Sequence, residues 1–335
     1  MSAAGVCLVV GPAWVGDMVM AQSLFKILRS QSPERAVDVL APAWSMDLVG
    51  RMPEVRRAMA LPLGHGEFGF FARRRLGRAL RGSGYAQAIV LPNSWKSALT
   101  PFFADIPLRT GFRGEWRYGL LNDVRRLDKR RLPMTVQRFA ALGLPADAPA
   151  PHCPPPLLSV DTAGQQAAVA KFEIDPARPI VILCPGAEYG PAKRWPAAHF
   201  AEVARELSAQ GRQVWLFGSA KDAAVAAEIV QLSGGVCRDF TGATTLAEAV
   251  DLMALAEAVV SNDSGLMHVA AALDKPLVAL YGSSDPGFTP PLHAAAKILS
   301  LQLPCAPCFK RVCPLGHTHC LTQLPPQRVL AALLG

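Results

Sequence analysis

The chain has 335 residues, of which 51% are hydrophobic and 18% are charged. This length and apolar content suit two domains, each with its own core, and they exclude a disordered chain. No run approaches the roughly 18 consecutive apolar residues of a membrane-spanning helix, and residues 1–10 lack the basic segment of a secretory signal. We therefore expect a cytoplasmic protein, with peripheral contact to a membrane left open.

The net charge of +8 is concentrated in two segments of the first half. The first contains Arg73, Arg74, Arg75, Arg78 and Arg81, and the second contains Arg109, Arg113, Arg117, Arg125, Arg126, Lys129, Arg130 and Arg131. Any single arginine more often belongs to a solvated helix face, but as groups they predict an acidic partner, such as anionic lipid or a phosphorylated sugar. Nucleic acid is not expected, because no nucleic-acid motif accompanies them and aromatic residues are only 7%.

Short apolar runs alternate with helical patterns from the N-terminus onwards. In the first half, the pattern predicts strands at residues 6–10, 37–40 and 88–91 and a helix over residues 17–30. A proline-rich stretch, residues 144–156, then predicts a stiff linker.

The alternation resumes after the linker. It predicts strands at residues 180–184, 214–217, 258–261 and 277–281 and helices over residues 197–210, 222–232, 246–256 and 265–273. This order indicates an α/β protein with two doubly wound, Rossmann-like domains, residues 1–157 and 158–335, facing each other across a cleft. Ligands bind such sheets beyond the carboxyl ends of the strands.

The first strand–helix turn contains Gly11, Gly16 and Asp17. The two glycines have the spacing of a phosphate-binding Walker loop, but Asp17 stands where that loop needs a lysine and would repel a triphosphate. At the start of a helix, an ionised carboxylate is stabilised by the helix dipole and can accept a proton from a sugar hydroxyl. On local sequence alone, a helix N-cap is the commoner use of such an aspartate.

Two loops of the second half have features of an anion site. One carries Lys193 among glycines and prolines, and the other places Asp263, Ser264 and Gly265 at the start of a helix, with His268 one turn later. Each alone is also compatible with an exposed turn or a structural histidine. Because both loops follow strands of one sheet, together they favour nucleotide-sugar binding by the second domain.

The C-terminal segment is rich in metal-ligating residue types. These residues are Cys305, Cys308, Cys313, His317, His319 and Cys320. The spacing is compatible with a structural metal or a redox-sensitive clip, but it is more compact than a zinc ribbon, and free thiols fit it about as well. Disulfides are disfavoured in a cytoplasmic protein.

Six blocks of the sequence resemble the lipopolysaccharide heptosyltransferases. They are GPAWVGDM at residues 11–18, LPNSWKSA at 91–98, RTGFRGE at 109–115, RYGLLND at 117–123, CPGAEYGPAKRWP at 184–196 and NDSGLMHVAAAL at 262–273. The resemblance runs from about residue 6 to residue 292. The cysteine-rich segment departs from the best-known members.

This resemblance implies a GT-B fold, with the acceptor bound by the first domain and the donor by the second, and with a final helix able to pack back on the first domain. The implied donor is ADP-L-glycero-β-D-manno-heptose, and the implied acceptor is heptosyl-Kdo2-lipid A at the cytoplasmic face of the inner membrane. The implied reaction inverts the anomeric centre during inner-core synthesis and needs no cofactor or metal for its chemistry.

The resemblance also implies roles for individual residues. Asp17 matches the base that deprotonates the acceptor, and Lys193 matches the lysine that neutralises the leaving diphosphate. The residues expected to line the donor site are Glu188, Tyr189, Lys193, Asp263, Ser264, Gly265 and His268. The basic residues expected to meet acidic groups of the acceptor are Lys96, Arg109 and Arg113.

Two alternatives stay open at this point. One is a heptosyltransferase that adds the first heptose, or a transferase of another inner-core sugar. The other is a non-catalytic nucleotide-sugar-binding protein on the same scaffold. A carboxylate at position 17, on the acceptor side, favours catalysis because a binding module does not need it.

Overall fold

A computed structural model describes residues 5–64 and 66–335 of the chain. These residues form two compact units that meet in sequence between Pro156 and Leu157, each built around one parallel sheet. The α/β class expected from the sequence is confirmed. No helix in the described part of the chain is long and apolar enough to cross a membrane.

The described residues of the first unit form six strands and five α-helices. The strands are β1 (Val6–Val10), β2 (Val37–Pro42), β3 (Val55–Leu61), β4 (Tyr85–Val90), β5 (Leu108–Phe112) and β6 (Asp123–Arg125). The helices are α1 (Val15–Gln31), α2 (Met46–Val49), α3 (Phe70–Ala79), α4 (Leu99–Phe103) and α5 (Thr135–Ala141).

The second unit contains six strands and seven α-helices. The strands are β7 (Ile180–Cys184), β8 (Gln213–Leu216), β9 (Cys237–Asp239), β10 (Ala258–Asn262), β11 (Leu277–Tyr281) and β12 (Lys297–Ser300). The helices are α6 (Thr162–Lys171), α7 (Ala197–Ala209), α8 (Ala223–Leu232), α9 (Leu246–Met253), α10 (Gly265–Ala272), α11 (His319–Thr322) and α12 (Pro326–Leu334).

Both sheets have the doubly wound Rossmann order. The first runs β3-β2-β1-β4-β5-β6, and the second runs β12-β11-β10-β7-β8-β9, with every pairing parallel. In such a sheet the strand order reverses beside the first strand, and the loops that leave the two neighbouring strands there diverge and leave a crevice. These switch points lie between β1 and β4 and between β7 and β10.

The inner strands are apolar because helices cover both faces of each sheet. β7, β10 and β11 are buried along their whole length, and β1 is buried from Cys7 onwards. The core of the second unit packs Trp195 and Phe200 against these strands and includes Leu324 and Val329 near the C-terminus. The sequence left open whether the final helix packs back on the first domain. This helix, α12, lies against α7, β10 and β11 of the second unit.

Candidate active site

The loop that follows β7, residues 185–195, lies beside the end of β10 at the switch point of the second sheet. We call it the lysine loop because it carries Lys193. The buried Asn262 fixes both ends of this loop: its Nδ2 donates to the Pro185 carbonyl at 2.7 Å, and its Oδ1 accepts from the Trp195 amide at 3.1 Å. From the sequence, no separate role was predicted for Asn262, which is the first residue of the block at 262–273. An amide side chain at the end of an otherwise apolar strand was the signal for this role.

Lys193 and Asp263 meet at the switch point. Nζ of Lys193 lies 2.5 Å from Oδ2 of Asp263, and their side chains are only 16% and 5% exposed. Two residues proposed from separate motifs are therefore brought together. A lysine that is largely out of water interacts more strongly with nearby anions than a surface lysine does.

The helix that follows Asp263 directs its N-terminus to the same place. Ser264 is the N-cap residue of α10 and Gly265 its first residue, so the first amide groups of α10 are available to an anion. His268 is buried one turn later. Burial lowers its pKa to about 4, with Asp263 raising and Lys193 lowering it by smaller amounts, so the imidazole is neutral at physiological pH.

Glu188 and Tyr189 lie on the outer part of the lysine loop. Glu188 forms an exposed ion pair with Lys221, and the Tyr189 hydroxyl donates to the Phe309 carbonyl at 2.7 Å. The Lys193 ammonium lies 5.1 Å from the centroid of the Tyr189 ring. Tyr189 therefore contacts the proposed catalytic lysine, whereas the carboxylate of Glu188 already has a cation partner.

A further carboxylate supports the beginning of the lysine loop. Asp222 accepts from the backbone N–H of Ser219 at 3.0 Å and from its hydroxyl at 2.9 Å, and Arg194 lies 3.5 Å away. The backbone at Gly186 passes so close that a Cβ there would lie 2.5 Å from Asp222 Oδ2. Gly186 is therefore required for this close approach, and Asp222 is a positioning residue that sequence reasoning did not place in the site.

In the first unit, Asp17 lies in the first turn of α1, directly after β1 at the switch point. The helix begins at Val15 and Trp14 is its N-cap residue, so the alternative that Asp17 is itself the N-cap is wrong. The carboxylate is half-buried. Its place near the N-terminus of a 17-residue helix favours the ionised form.

The three basic residues proposed for the acceptor differ in their surroundings. Lys96 follows β4 and donates to the Gly66 and Glu67 carbonyls at 2.8 and 3.0 Å. Arg109 donates to the Leu120 and Ile106 carbonyls, both at 2.6 Å, so its guanidinium mainly stabilises the backbone. Arg113 is half-buried, and its guanidinium stacks on the Trp116 ring at 4.8 Å.

Some residues of the two basic segments are not on the surface. Arg117 is fully buried and donates to the Pro92 and Phe112 carbonyls, and burial lowers its pKa to about 10. Arg73 is also buried, with its Nε on the Phe68 carbonyl at 2.8 Å. The sequence could not separate these structural arginines from their exposed neighbours.

The four cysteines of the C-terminal segment line one small cavity together with Ala192, Ser283 and His317. All four thiols are free, and in the part of the chain that the structure describes, no three Cys, His, Asp or Glu side chains stand as a ready metal-ligand set. Backbone amides, that of Thr318 above all, hydrogen bond to Cys313 and lower its pKa. Because Ala192 belongs to the lysine loop, the cysteine-rich segment and the lysine loop share this cavity.

Two Rossmann-order sheets in one chain, with a lysine–carboxylate pair and a helix N-terminus at the switch point of the second, define a nucleotide-sugar transferase of the GT-B class. The model of glycosyltransferase family 9 (heptosyltransferase) matches residues 73–319. The chain belongs to this family, which confirms the resemblance and the enzyme class expected from the sequence.

Relatives of known name agree with this assignment. The chain is 49% identical to lipopolysaccharide heptosyltransferase 2 of Salmonella typhimurium, over 97% of each chain. It is 51% identical to lipooligosaccharide heptosyltransferase 2 of Haemophilus influenzae, over 88% of each. The solved structure of ADP-heptose LPS heptosyltransferase II from Escherichia coli is 46% identical, with a TM-score of 0.85 over 98% of this chain and 97% of that one.

Proposed function

We propose that the protein transfers L-glycero-D-manno-heptose from ADP-heptose to heptosyl-Kdo2-lipid A in the synthesis of the lipopolysaccharide inner core. The type 2 heptosyltransferases, similar over almost the whole chain, support the second heptose as the one added. The single observation that carries the chemistry is the Lys193–Asp263 pair beside the N-terminus of α10. The Lys193 ammonium, held by Asp263, and the first amides of α10 face the place where a diphosphate would leave.

The donor binds the second unit in this proposal. The diphosphate contacts Lys193 and the first amides of α10, and Asp263 accepts hydrogen bonds from the heptose hydroxyls while it holds Lys193 in place. His268 takes part as a neutral imidazole. Tyr189 lines the same site through its contact with Lys193, and Glu188 contributes at its rim through the pair with Lys221.

The acceptor hydroxyl oxygen attacks the anomeric carbon of the heptose, and Asp17 takes the hydroxyl proton. The bond from that carbon to the β-phosphate oxygen breaks, its electron pair leaves with ADP, and the anomeric configuration inverts. Lys193 and the α10 amides neutralise the charge that develops on the diphosphate. Because these groups supply positive charge without a metal ion, the reaction requires no cofactor.

In this proposal the acceptor contacts the first unit, where Lys96 and Arg113 meet its acidic groups, and Arg109 stabilises the backbone beside them. A lipid-linked acceptor and a chain with no spanning helix among the described residues support a cytoplasmic protein that works peripherally at the inner membrane.

The test is turnover with ADP-heptose and two acceptors, Kdo2-lipid A with no heptose or with one. We expect transfer only to the acceptor that carries one heptose. Asp17→Asn should abolish transfer while ADP binding stays intact, and Asp147→Asn, which changes an exposed aspartate of the same unit, is the matched control. Transfer to the heptose-free acceptor would instead make the protein the enzyme that adds the first heptose, and near-normal turnover of Asp17→Asn would exclude Asp17 as the base.

A further inference from the structure

Three exposed aromatic residues of the first unit, Phe68, Phe71 and Trp95, form one surface with the half-buried Phe70 between them. Phe71 is 77% exposed, Phe68 52% and Trp95 38%. The rings are in contact, with centroid distances of 6.1 Å from Phe68 to Trp95, 6.3 Å from Phe68 to Phe70 and 5.5 Å from Phe70 to Phe71. Such a patch is unfavourable in water and marks a binding surface.

Two unpaired arginines adjoin this surface on α3. Phe71, Arg75 and Arg78 are spaced four and three residues apart, so they share one face of the helix, and all three are exposed. Neither arginine has a carboxylate partner among residues 5–64 and 66–335, whereas Arg81 is paired with Asp105. The outward charge of α3 is therefore available to an external anion.

We propose that this surface docks on an anionic lipid bilayer. Aromatic rings are favourable at the boundary between headgroups and acyl chains, and arginines beside them bind lipid phosphates while their stems stay in apolar surroundings. A neutral protein partner would cover the exposed rings but would not pair with the two arginines, whereas an anionic membrane does both. The inference rests on the proposed function only in that a lipid-linked acceptor explains why the enzyme needs the membrane.

Co-sedimentation with lipid vesicles tests the surface directly. The full chain should bind vesicles that contain phosphatidylglycerol and bind pure phosphatidylcholine much less. Arg75→Glu with Arg78→Glu, and separately Phe68→Ser with Phe71→Ser, should each lower the partition coefficient about tenfold or more. The controls Arg57→Glu and Leu232→Ser change exposed residues elsewhere and should bind like the unmodified protein.

Activity measurements separate docking from catalysis. The surface variants should lose transfer to an acceptor embedded in anionic vesicles but keep it toward a deacylated, water-soluble acceptor. Unchanged vesicle binding in both double variants would overturn the docking surface. A change in the oligomeric state of these variants would also overturn it, because the surface would then bind a second copy of the chain. Lack of transfer by the unmodified protein to either acceptor would count against the proposed function, while the vesicle result would stand on its own.

The cysteine-rich segment supports a second inference, because residues 305–320, the cysteine loop, pack against the lysine loop. The Ala192 amide donates to the Arg311 carbonyl at 3.1 Å, and the backbone at Gly190, with φ of 156°, passes so close that a Cβ there would lie 2.5 Å from the same oxygen. The Arg311 guanidinium lies 5.2 Å from the Tyr189 ring centroid. Lys193 is 5.1 Å from the same centroid, so the two cations are at most about 10 Å apart.

The geometry points to Arg311 as a second cation that binds the donor diphosphate. Its side chain is exposed and has no carboxylate partner within the described ranges, whereas the charge of Lys193 is shared with Asp263. This assignment deepens the proposed function. It gives the cysteine loop a role in donor binding that neither the sequence motifs nor its thiols indicated.

Calorimetry with ADP and AMP as probes tests this role. Arg311→Ala should weaken ADP binding roughly tenfold and AMP binding much less, because the contact is with the second phosphate, and Arg311→Lys should restore part of the difference. Lys310→Ala removes the neighbouring exposed cation and should change neither. Equal losses for ADP and AMP, or no loss, would overturn the assignment. Failure of the unmodified protein to bind ADP would instead contradict the proposed function.

Discussion

Lys193 and Asp263 follow neighbouring strands of one sheet and form an ion pair of 2.5 Å whose carboxylate is almost entirely buried. Each side chain fixes the position or balances the charge of the other. Asp263 keeps the lysine at the switch point, and the lysine balances a carboxylate that would be costly to bury alone. The pair therefore connects the stability of the second unit to its chemistry.

Removing the Lys193 cation should slow turnover strongly. For Lys193→Gln we expect kcat/KM with ADP-heptose to fall by about 10²–10³, because a group that stabilises the leaving charge is lost. Lys171→Gln breaks the exposed pair with Glu248 and is the control, with activity unchanged. Steady-state kinetics with purified donor measure both. Equal activity of the two variants would remove Lys193 from the reaction.

The same pair makes a stability prediction. Lys193→Gln leaves Asp263 buried without its cation and should lower the free energy of unfolding by about 3 kcal/mol, whereas adding Asp263→Asn should recover most of that loss. Urea unfolding of the two single variants and the double variant measures the coupling. Additive losses would mean that the two side chains do not interact in the folded protein.

Asn262 should position the lysine loop without contacting substrate. Asn262→Asp keeps the size of the side chain but replaces the amide donor to the Pro185 carbonyl, so we expect a loss of about 1–3 kcal/mol in stability and a raised KM for the donor. Asn122 offers a matched control, because it makes the same pair of contacts, with the Pro107 carbonyl and the Arg109 amide, at an exposed turn of the first unit. If Asn122→Asp raises the donor KM equally, the effect is not local to the lysine loop.

The sequence predicted most inner strands well because helices cover both of their faces, but it missed β5, whose first two residues are not buried. β1, β7 and β11 have the predicted bounds, and β10 is one residue longer. The outer strands were missed for the opposite reason. β3 contains two exposed arginines, β9 is exposed after its first residue, and β12 is only partly buried, so none of them forms a continuous apolar run.

The site was predicted in parts. Lys193, Asp263 and His268 lie together as expected, because loops after adjacent parallel strands meet at one edge of the sheet. The contacts of Asn262, Asp222 and Arg311 with the lysine loop could not be predicted, since they join residues far apart in the chain that have no shared pattern. Only the folded backbone shows that the cysteine loop lies against the lysine loop.

Chelation of divalent metals should leave transfer intact. Lys193 and the α10 amides supply the positive charge at the diphosphate, so the initial rate after treatment with EDTA should stay within about twofold of the untreated rate. The unfolding temperature, measured in parallel, reports any metal held by the cysteine loop. A loss of rate that magnesium restores, without a change in unfolding temperature, would contradict the metal-free reaction.

His268 should make the protein sensitive to mild acid. Its pKa in the folded chain is about 4, below the ordinary value of 6.5, so unfolding binds a proton at intermediate pH. Its contribution to stability is complete above pH 6.5 and is lost as the pH falls toward 4, by about 3 kcal/mol at most.

In His268→Gln this part of the pH dependence should disappear, although the variant starts from a lower stability. His152→Gln changes an exposed histidine of the first unit and should keep the full dependence. Urea unfolding between pH 4 and 7.5 measures the slope, and identical slopes in both variants would mean that His268 is protonated normally in the folded protein.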